Sequence, residues 1–200
     1  MFSKYDVYTT VQSLYCYPDS DVLKNKLNIK NSDELKQAEE EITALKQYML
    51  MESPIKGRFT KTQLINIHRF LFEDIYPFAG HIRREQISKG DTIFFPPHLI
   101  NQELDKVFSK LHSDNMLHET NRKCQIKHLS YIMSELNIIH PFREGNGRSI
   151  REMIRCMALH YGFLLDWSQV DRDTMLNAAV RSVVDGMAFN EIIVKCIIEG

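Results

Sequence analysis

Apolar residues recur along the chain at three- and four-residue spacing, the pattern of amphipathic helices. Asn31 followed by Glu34 resembles a capping box and predicts a helix start, and Thr60 predicts another. The inward positions of the first helix are expected to be Leu35, Ala38, Ile42, Leu45 and Met49. Later helices are expected from His98 or Asn101, along 126–139, from Gly147 to Tyr161, from Asp171 to Arg181 and from Ala188.

Three segments depart from the pattern of a simple amphipathic helix. Segment 126–139 is apolar over more than one stripe and is expected to be buried on several sides. Residues 15–27 are expected to begin irregular and then form a short helix capped near Ser20 or Asp21. Two β-prone runs within 87–95 flank a turn and predict a hairpin. The pattern predicts one all-α domain over residues 1–200 with a single β-hairpin, in which residues 1–30 form an N-terminal appendage.

Composition and charge narrow the class of protein. A hydrophobic fraction of 44% in 200 residues is typical of a globular chain. The formal net charge of -1 offers no general attraction to nucleic acid, so no direct nucleic-acid binding is expected. No apolar run reaches the roughly 18 residues of a membrane span, and the N-terminal residues lack a signal peptide's apolar core. Four widely spaced cysteines suit reduced thiols, and a cytoplasmic location is expected.

One stretch, residues 140–151 (HPFREGNGRSIR), concentrates the candidate chemistry. The glycines of 145–147 allow the dihedral angles that turn backbone N–H groups toward one anion, and a helix starting there adds its positive end. Arg148 and Arg151 would share a face of that helix and reach the same anion. Glu144 could hold a cation at the loop entrance, and His140 could accept a proton near neutral pH.

Taken singly, each of these features has an ordinary explanation, as a turn, a helix end or a solvated helix face. Together they resemble the Fic family motif His-x-Phe-x-(Asp/Glu)-Gly-Asn-Gly-Arg-x-x-Arg. The fixed positions are all matched, by His140, Phe142, Glu144, Gly145, Asn146, Gly147, Arg148 and Arg151. Segment 71–83 also resembles the family's aromatic-Ala-Gly-x-x-Arg corner.

The resemblance implies transfer of AMP from ATP to a Tyr, Thr or Ser hydroxyl of a target protein, with release of pyrophosphate. In that chemistry His140 accepts the hydroxyl proton and Glu144 holds Mg²⁺ between the α- and β-phosphates. The amides of 145–147 and the Asn146 side chain would cradle phosphate oxygens. Arg148 and Arg151 would neutralise the β- and γ-phosphates. Arg143 and Arg155 are not fixed in the motif and are expected to be solvated.

The predicted hairpin corresponds to the family's flap, which lies over the active site and pins the target backbone by strand addition. The residues expected to form it are Ile87, Ser88, Lys89, Gly90, Asp91, Thr92, Ile93 and Phe94. The alternative is an ordinary exposed turn.

Regulation is predicted from a missing pattern. Many Fic proteins carry an inhibitory (Ser/Thr)-x-x-x-Glu-(Gly/Asn) helix whose Glu pairs with the second motif arginine. No Ser or Thr of this chain has a Glu four residues later; the nearest approach has Lys195 before Glu199-Gly200. The N-terminal segment resembles the branch in which a separate small antitoxin supplies that Glu, so Arg151 is expected to lack an in-chain partner. Autoinhibition by a divergent segment stays open.

By the same resemblance, the targets of this toxin-like branch would be bacterial type II topoisomerases. Two other functions stay open: a catalytically silent helical interaction module, and a Fic protein that transfers another phosphate-containing group. A metal hydrolase is disfavoured because the eight histidines include no H-x-x-x-H arrangement.

Overall fold

The computed structural model describes residues 13–90 and 92–198. Their architecture is helical, with two small antiparallel strand pairs. The helices are α1 (Ser32–Glu52), α2 (Lys61–Phe72), α3 (Ile100–Ser113), α4 (Arg122–Ile139), α5 (Asn146–His160), α6 (Arg172–Arg181) and α7 (Asn190–Cys196). The strands are β1 (Ser88–Lys89), β2 (Thr92–Ile93), β3 (Leu164–Leu165) and β4 (Ile197–Ile198). The prediction of an all-α domain with a hairpin is confirmed.

Helix α4 lies at the centre and packs against α3, α5 and α7, while α5 also packs against α2. The expectation that α4 is buried on several sides is confirmed, because polar Gln125, Ser130 and Ser134 are buried along with its apolar residues. Burying apolar surface on all sides of this helix is the main stabilising contribution it can make. It also holds the end of α4, where the motif begins, in a fixed position.

The face predicted for α1 is correct only in part, since Leu35 is buried and Ile42 packs against the core but two other positions point outward. Leu45 is 62% exposed and Met49 is 45% exposed, whereas Glu39 and Thr43 are buried. The cap is as expected, since the Asn31 side chain accepts hydrogen bonds from the second and third helical amides. Glu39 and Thr43 face the interior because their side chains bond to Arg148 of the motif.

The short helix predicted near Ser20 does not form. Residues 13–30 instead make turns and an isolated antiparallel bridge between Cys16 and Leu23. The Val22 carbonyl accepts from the Tyr17 amide and the Lys24 amide donates to the Tyr15 carbonyl, so these groups serve the bridge and not helical hydrogen bonds. The segment is anchored to the domain, since the Lys26 amide donates to the Ile75 carbonyl.

The structure adds a strand pair that the sequence pattern missed. β3 pairs antiparallel with β4, with Leu164 opposite Ile198 and Leu165 opposite Ile197. Ile197 was expected to continue the last helix, but α7 ends at Cys196. A two-residue pairing across more than 30 positions leaves no local periodicity to detect. Among the described helices, none has the length and apolar character that crossing a bilayer requires.

Candidate active site

Helix α4 ends at His140, which adopts the left-handed conformation with φ 49° and ψ 63°. Such a backbone is uncommon for a residue with a side chain. The buried guanidinium of Arg83 donates hydrogen bonds to the carbonyls of Ile139 (3.3 Å) and His140 (2.8 Å), and a further one to Phe95. One arginine thus ties the helix end to the segment that leaves the hairpin.

The His140 ring has one committed nitrogen. Nδ1 lies 3.1 Å from the Asn137 carbonyl, and since a carbonyl only accepts, Nδ1 carries the proton and Nε2 keeps its lone pair. The Phe94 ring stacks on the imidazole at 3.8 Å between centroids. Burial, aided by the nearby Arg83 and Lys89 charges, lowers the pKa of His140 to about 3. The imidazole is therefore neutral near pH 7 and can accept a proton through Nε2.

The loop after His140 is braced from inside. The Asn146 side chain accepts from the Phe142 amide and donates to the Phe142 carbonyl, each at 2.8 Å. This differs from the expected phosphate contact of that side chain. Gly145 has a φ of 81°, and a Cβ there would lie 2.2 Å from the Phe72 ring. Only glycine fits this position without displacing an aromatic side chain.

His68 of α2 stabilises the same loop through hydrogen bonds and ring stacking. Its Nδ1 accepts the Gly80 N–H at 2.8 Å, so Nε2 carries the proton and donates to the Glu144 carbonyl at 3.0 Å. The ring stacks on Phe142 at 3.8 Å and is fully buried. Burial lowers the pKa of His68 to about 3, so a neutral ring satisfies both bonds.

The loop leads into α5, whose first turn contains the exposed Gly147 between the buried Asn146 and the half-buried Arg148. No side chain caps this helix start, and helix geometry leaves the N–H groups of residues 146–148 without intrahelical acceptors. Gly147 is exposed there. Partial positive charge therefore accumulates at an accessible point, as anion binding requires.

Arg148 is already paired within the described chain. Its Nη2 bonds to the Glu39 carboxylate and its Nη1 donates to the Thr43 hydroxyl at 3.0 Å. The Tyr76 hydroxyl donates to the other oxygen of Glu39. Burial acts to lower the pKa of Arg148, but the carboxylates of Glu39 and Glu144 outweigh it and raise the pKa. The guanidinium is fixed and charged.

Arg151 contrasts with Arg148. Within residues 13–90 and 92–198 it makes no hydrogen bond or ion pair. Burial and the nearby Arg148 lower its pKa to about 10, so it remains charged at neutral pH. It lines a small cavity of about 50 Å³ that begins at the exposed Gly147. The other lining residues are Met133, Asn137, Ile150, Met175, Ala179 and Phe189.

Glu144 is the cation-binding candidate. Its Oε1 accepts the Gly145 amide at 2.9 Å and lies 3.7 Å from the Arg148 guanidinium. Burial and the neighbouring Glu39 carboxylate raise its pKa, and a bound cation would oppose that shift. Mg²⁺ commonly binds through one or two carboxylates together with substrate phosphates, so this carboxylate fits the ion. No cluster of three or more His, Cys, Asp or Glu ligands occurs within the described residues.

The hairpin covers the base. β1 and β2 pair Ser88 with Ile93 and Lys89 with Thr92, and Gly90 turns with a φ of 54°. Phe94 is buried on His140, whereas Ile93 is 73% exposed. Ile87 is buried, Asp91 lies outside the described residues, and so do Glu199 and Gly200.

The expectation that Arg143 and Arg155 are solvated is wrong. Both are buried, with exposures of 5% and 8%. Arg143 pairs with Glu85 at 3.1 Å, and Arg155 pairs with Glu152 at 2.8 Å. Buried arginines need such partners because an unpaired charge is costly to desolvate.

A second cavity, of about 640 Å³, lies away from the motif between the start of α2 and the end of α3. It is lined by Thr60, Lys61, Thr62, Asp105, Phe108, Ser109, His112 and Ser113. It is larger than the Arg151 cavity, but no residue of 140–151 lines it, whereas Gly147, Ile150 and Arg151 line the smaller one.

Three residues that shape the site were not assigned a role from the sequence: His68, Glu39 and Arg83. Two signals were present. His68 interrupts the apolar face of α2, and Glu39 lies four residues after the buried Leu35. A polar residue on an inward helical face needs a partner in the interior. The Arg83 contacts depend on tertiary structure and had no local signal beyond its place in the corner.

A neutral imidazole at the end of α4, an uncapped start of α5 and two arginines on that helix are groups that suit transfer from a phosphate-containing substrate. The chain belongs to the Fic/DOC family, whose pattern matches residues 58–158.

Individual relatives support that assignment. The chain is 30% identical over 182 residues to the probable protein adenylyltransferase y4lH of Sinorhizobium fredii, covering 90% of this chain and 93% of that protein. It is 32% identical over 168 residues to the protein adenylyltransferase VbhT of Bartonella schoenbuchensis, covering 84% of this chain but only 35% of that longer protein. The fold resembles the N-terminal Fic domain of a Bartonella quintana Bep effector protein solved with bound ADP, with TM-score 0.84, 24% identity, and 92% and 94% of the two chains covered.

Proposed function

We propose that this chain is a protein adenylyltransferase that moves AMP from ATP to a Tyr, Thr or Ser hydroxyl of a target protein. The observation that carries the proposal is the His140 ring, whose Nδ1 bonds to a carbonyl while Nε2 stays available, five residues before the uncapped start of α5 at Gly145. Two relatives bear the name protein adenylyltransferase, and a solved Fic domain of the same fold holds ADP.

His140 acts as the general base. The target hydroxyl oxygen attacks the α-phosphorus of ATP while its proton passes to Nε2, and the bond to the β-phosphate oxygen breaks to release pyrophosphate. The lowered pKa keeps the ring neutral near pH 7 with the Nε2 lone pair free, and the Asn137 carbonyl stabilises the imidazolium once it forms. Such a base commonly accelerates the reaction by about 10²–10⁴.

The start of α5 binds the phosphates. Its free amides and the charged Arg148 and Arg151 offset the negative charge that develops on the phosphate oxygens. Mg²⁺, when bound, neutralises phosphate charge further, and Glu144 would hold it. His68 and the Asn146 side chain keep the loop that carries these groups from shifting.

The hairpin positions the target. Segment 87–94 would accept the target backbone by strand addition, a mode in which main-chain hydrogen bonds supply most of the affinity. The exposed Ile93 offers an apolar contact, and Phe94 places this edge directly over His140. By resemblance to the toxin-like branch, a type II topoisomerase is the proposed target.

A separate antitoxin is the proposed regulator. Arg151 has no partner within the described residues, so an acid from another protein could pair with it and exclude the γ-phosphate. Apolar Leu176 and Val180 are exposed on α6, beside the cavity-lining Met175 and Ala179, and offer a surface for a helical partner. Transfer of labelled AMP by the purified chain tests this: a wild-type chain that is inactive until an in-chain acid is replaced would defeat the antitoxin proposal.

The function itself is tested by incubating the chain with bacterial lysate and α-labelled ATP, with His140→Ala as the matched control. We expect a labelled protein band with the wild type and none with the variant, followed by identification of that band. Label that appears equally with both would reject the proposed base. Calorimetry with ATP, with and without Mg²⁺, addresses the alternative: the absence of any affinity in an antitoxin-free preparation would favour an interaction module.

A further inference from the structure

We propose that Glu39, in α1 and outside the motif, is the positioning residue that holds Arg148 where the phosphates of the substrate bind. The inference rests on the proposed function and adds α1 to the machinery. Its basis is the buried network of Glu39, Thr43, Tyr76 and Arg148.

The burial of Glu39 is unusual. Its side chain is 2% exposed, and an ionised carboxylate in such a place is costly unless its oxygens are bonded. Both oxygens are in use, one by the Arg148 guanidinium and the other by the Tyr76 hydroxyl. The carboxylate cannot rotate without breaking one of these bonds, so it is a fixed anchor.

Thr43 fixes the guanidinium from one helical turn further along α1. Its hydroxyl donates to the Glu39 backbone carbonyl at 2.7 Å, which turns a lone pair toward Nη1 of Arg148. The guanidinium also lies 4.7 Å from the centre of the Phe72 ring. The two hydrogen bonds to α1 use two of its five N–H donors, which leaves others for an anion.

The arrangement differs from an inhibitory acid. The inhibitory Glu of the family pairs with the second motif arginine, here Arg151, which has no partner within the described ranges 13–90 and 92–198. Glu39 instead pairs with the first arginine and is itself held by Tyr76. An acid that blocked the site would need to move aside, whereas this one is locked on both oxygens.

The test is ATP and AMP affinity by calorimetry, with every variant made in a His140→Ala background so that no transfer occurs. Glu39→Ala should weaken ATP binding roughly tenfold, because the ordering of a charged hydrogen-bonding group is lost. Glu39→Gln keeps an acceptor for Arg148 and should stay within about threefold. AMP lacks the β-phosphate, so its affinity should be the same in all these proteins.

Two further variants control for folding. Glu41→Ala, on the exposed side of the same helix, should change neither affinity. Thr43→Val removes one hydrogen bond to Arg148 with little change of shape and should weaken ATP binding about threefold, which tests the network if Glu39→Ala does not fold.

The outcomes separate the inference from the function beneath it. If Arg148→Ala loses ATP affinity but Glu39→Ala and Thr43→Val do not, the positioning role is rejected while nucleotide binding stands. Tighter ATP binding by Glu39→Ala would make Glu39 an inhibitory acid and overturn the proposal. An equal loss for ATP and AMP would reduce it to a general structural role. If the chain without substitutions on α1 binds no ATP, the proposed function falls and this inference falls with it.

Discussion

Two imidazoles contact the motif loop or precede it, the buried His68 and the half-buried His140, and they differ in one bond. His68 and His140 each stack on a phenylalanine ring at 3.8 Å, and burial lowers the pKa of each to about 3. His68 bonds through both ring nitrogens, to Gly80 and to the Glu144 carbonyl. Within the part of the chain that the structure describes, the His140 ring bonds through Nδ1 alone, to the Asn137 carbonyl.

The difference supports a structural role for His68 and the proposed chemical role for His140. Two neutral hydrogen bonds exhaust what an imidazole can make, so His68 has no lone pair left for a substrate. His140 keeps one, and it keeps part of its surface accessible whereas His68 has none. A depressed pKa alone would not have separated them, because it reports burial in both cases.

Replacing His140 should have the largest effect, which is on the rate of AMP transfer. His140→Asn is expected to lower the rate of AMP transfer by about 10²–10⁴, because the hydroxyl proton then has no acceptor of suitable basicity. Its ATP affinity should stay within about twofold, since the phosphates bind to α5. Single-turnover rates with labelled ATP, measured beside calorimetry, check both. His81→Asn, at an exposed position, is the control, and a His140→Asn rate near that of the control would contradict the assignment.

Replacing the structural ring should act on stability instead. His68→Leu leaves the Gly80 amide and the Glu144 carbonyl without partners in the interior, at a cost of about 1–3 kcal/mol for each. We expect the free energy of unfolding to fall by about 2–6 kcal/mol. Denaturant unfolding measures this, with His81→Leu as the exposed control. An unchanged midpoint for His68→Leu would mean that neither bond stabilises the loop.

The sequence predicted one of these rings and missed the other, for a physical reason. His140 lies in a run of chemically specialised residues, so its role followed from the motif. His68 lies among the apolar residues of α2, and its partners come from Gly80 and Glu144, which are distant in the chain. Local periodicity predicts which face of a helix is buried but does not identify a tertiary hydrogen-bond partner.

The helix α1 was predicted, but part of its buried face was not, for the same reason. For α3, α4 and α5 the apolar stripe coincides with the buried face, because their neighbours are apolar too. In α1 the inward positions include Glu39 and Thr43, which bond to Arg148. A pattern that scores apolar residues places such a face outward. The motif loop was predictable, whereas the side chains that hold it were not.

Lowering the pH should reduce stability through both histidines together. Each histidine has an ordinary pKa of 6.5 when unfolded and about 3 when folded. Above pH 6.5 neither state binds the proton, and their full contribution to stability is present. As the pH falls from 6.5 toward 3 the unfolded chain takes up protons first, so stability is lost, with a slope of up to about 1.4 kcal/mol per pH unit for each ring.

The raised pKa of Glu144 acts in the opposite direction, because the folded state then binds its proton first. Comparing the wild type with a variant that lacks one histidine isolates the contribution of that histidine to the pH dependence of stability. Between pH 6.5 and 5 the unfolding free energy of His140→Asn should fall less steeply than that of the wild type, by up to about 1.4 kcal/mol per pH unit. Denaturant unfolding across this pH range is the measurement. Parallel curves for the two proteins would show that His140 titrates normally in the folded state.

Removing the aromatic ring that stacks on His140 should have the smallest effect. Phe94→Leu keeps an apolar residue over His140 but removes the stacked ring, which admits water to the imidazole. Because burial is the main cause of the low pKa, that pKa should rise toward 6.5, and the acid limb of the transfer rate should move to higher pH. Proton NMR titration of the His140 ring measures the shift. Ile93→Ala, at the exposed neighbouring position, should leave the titration unchanged, and an equal shift in both variants would assign the low pKa to the hairpin as a whole and not to the stacked ring.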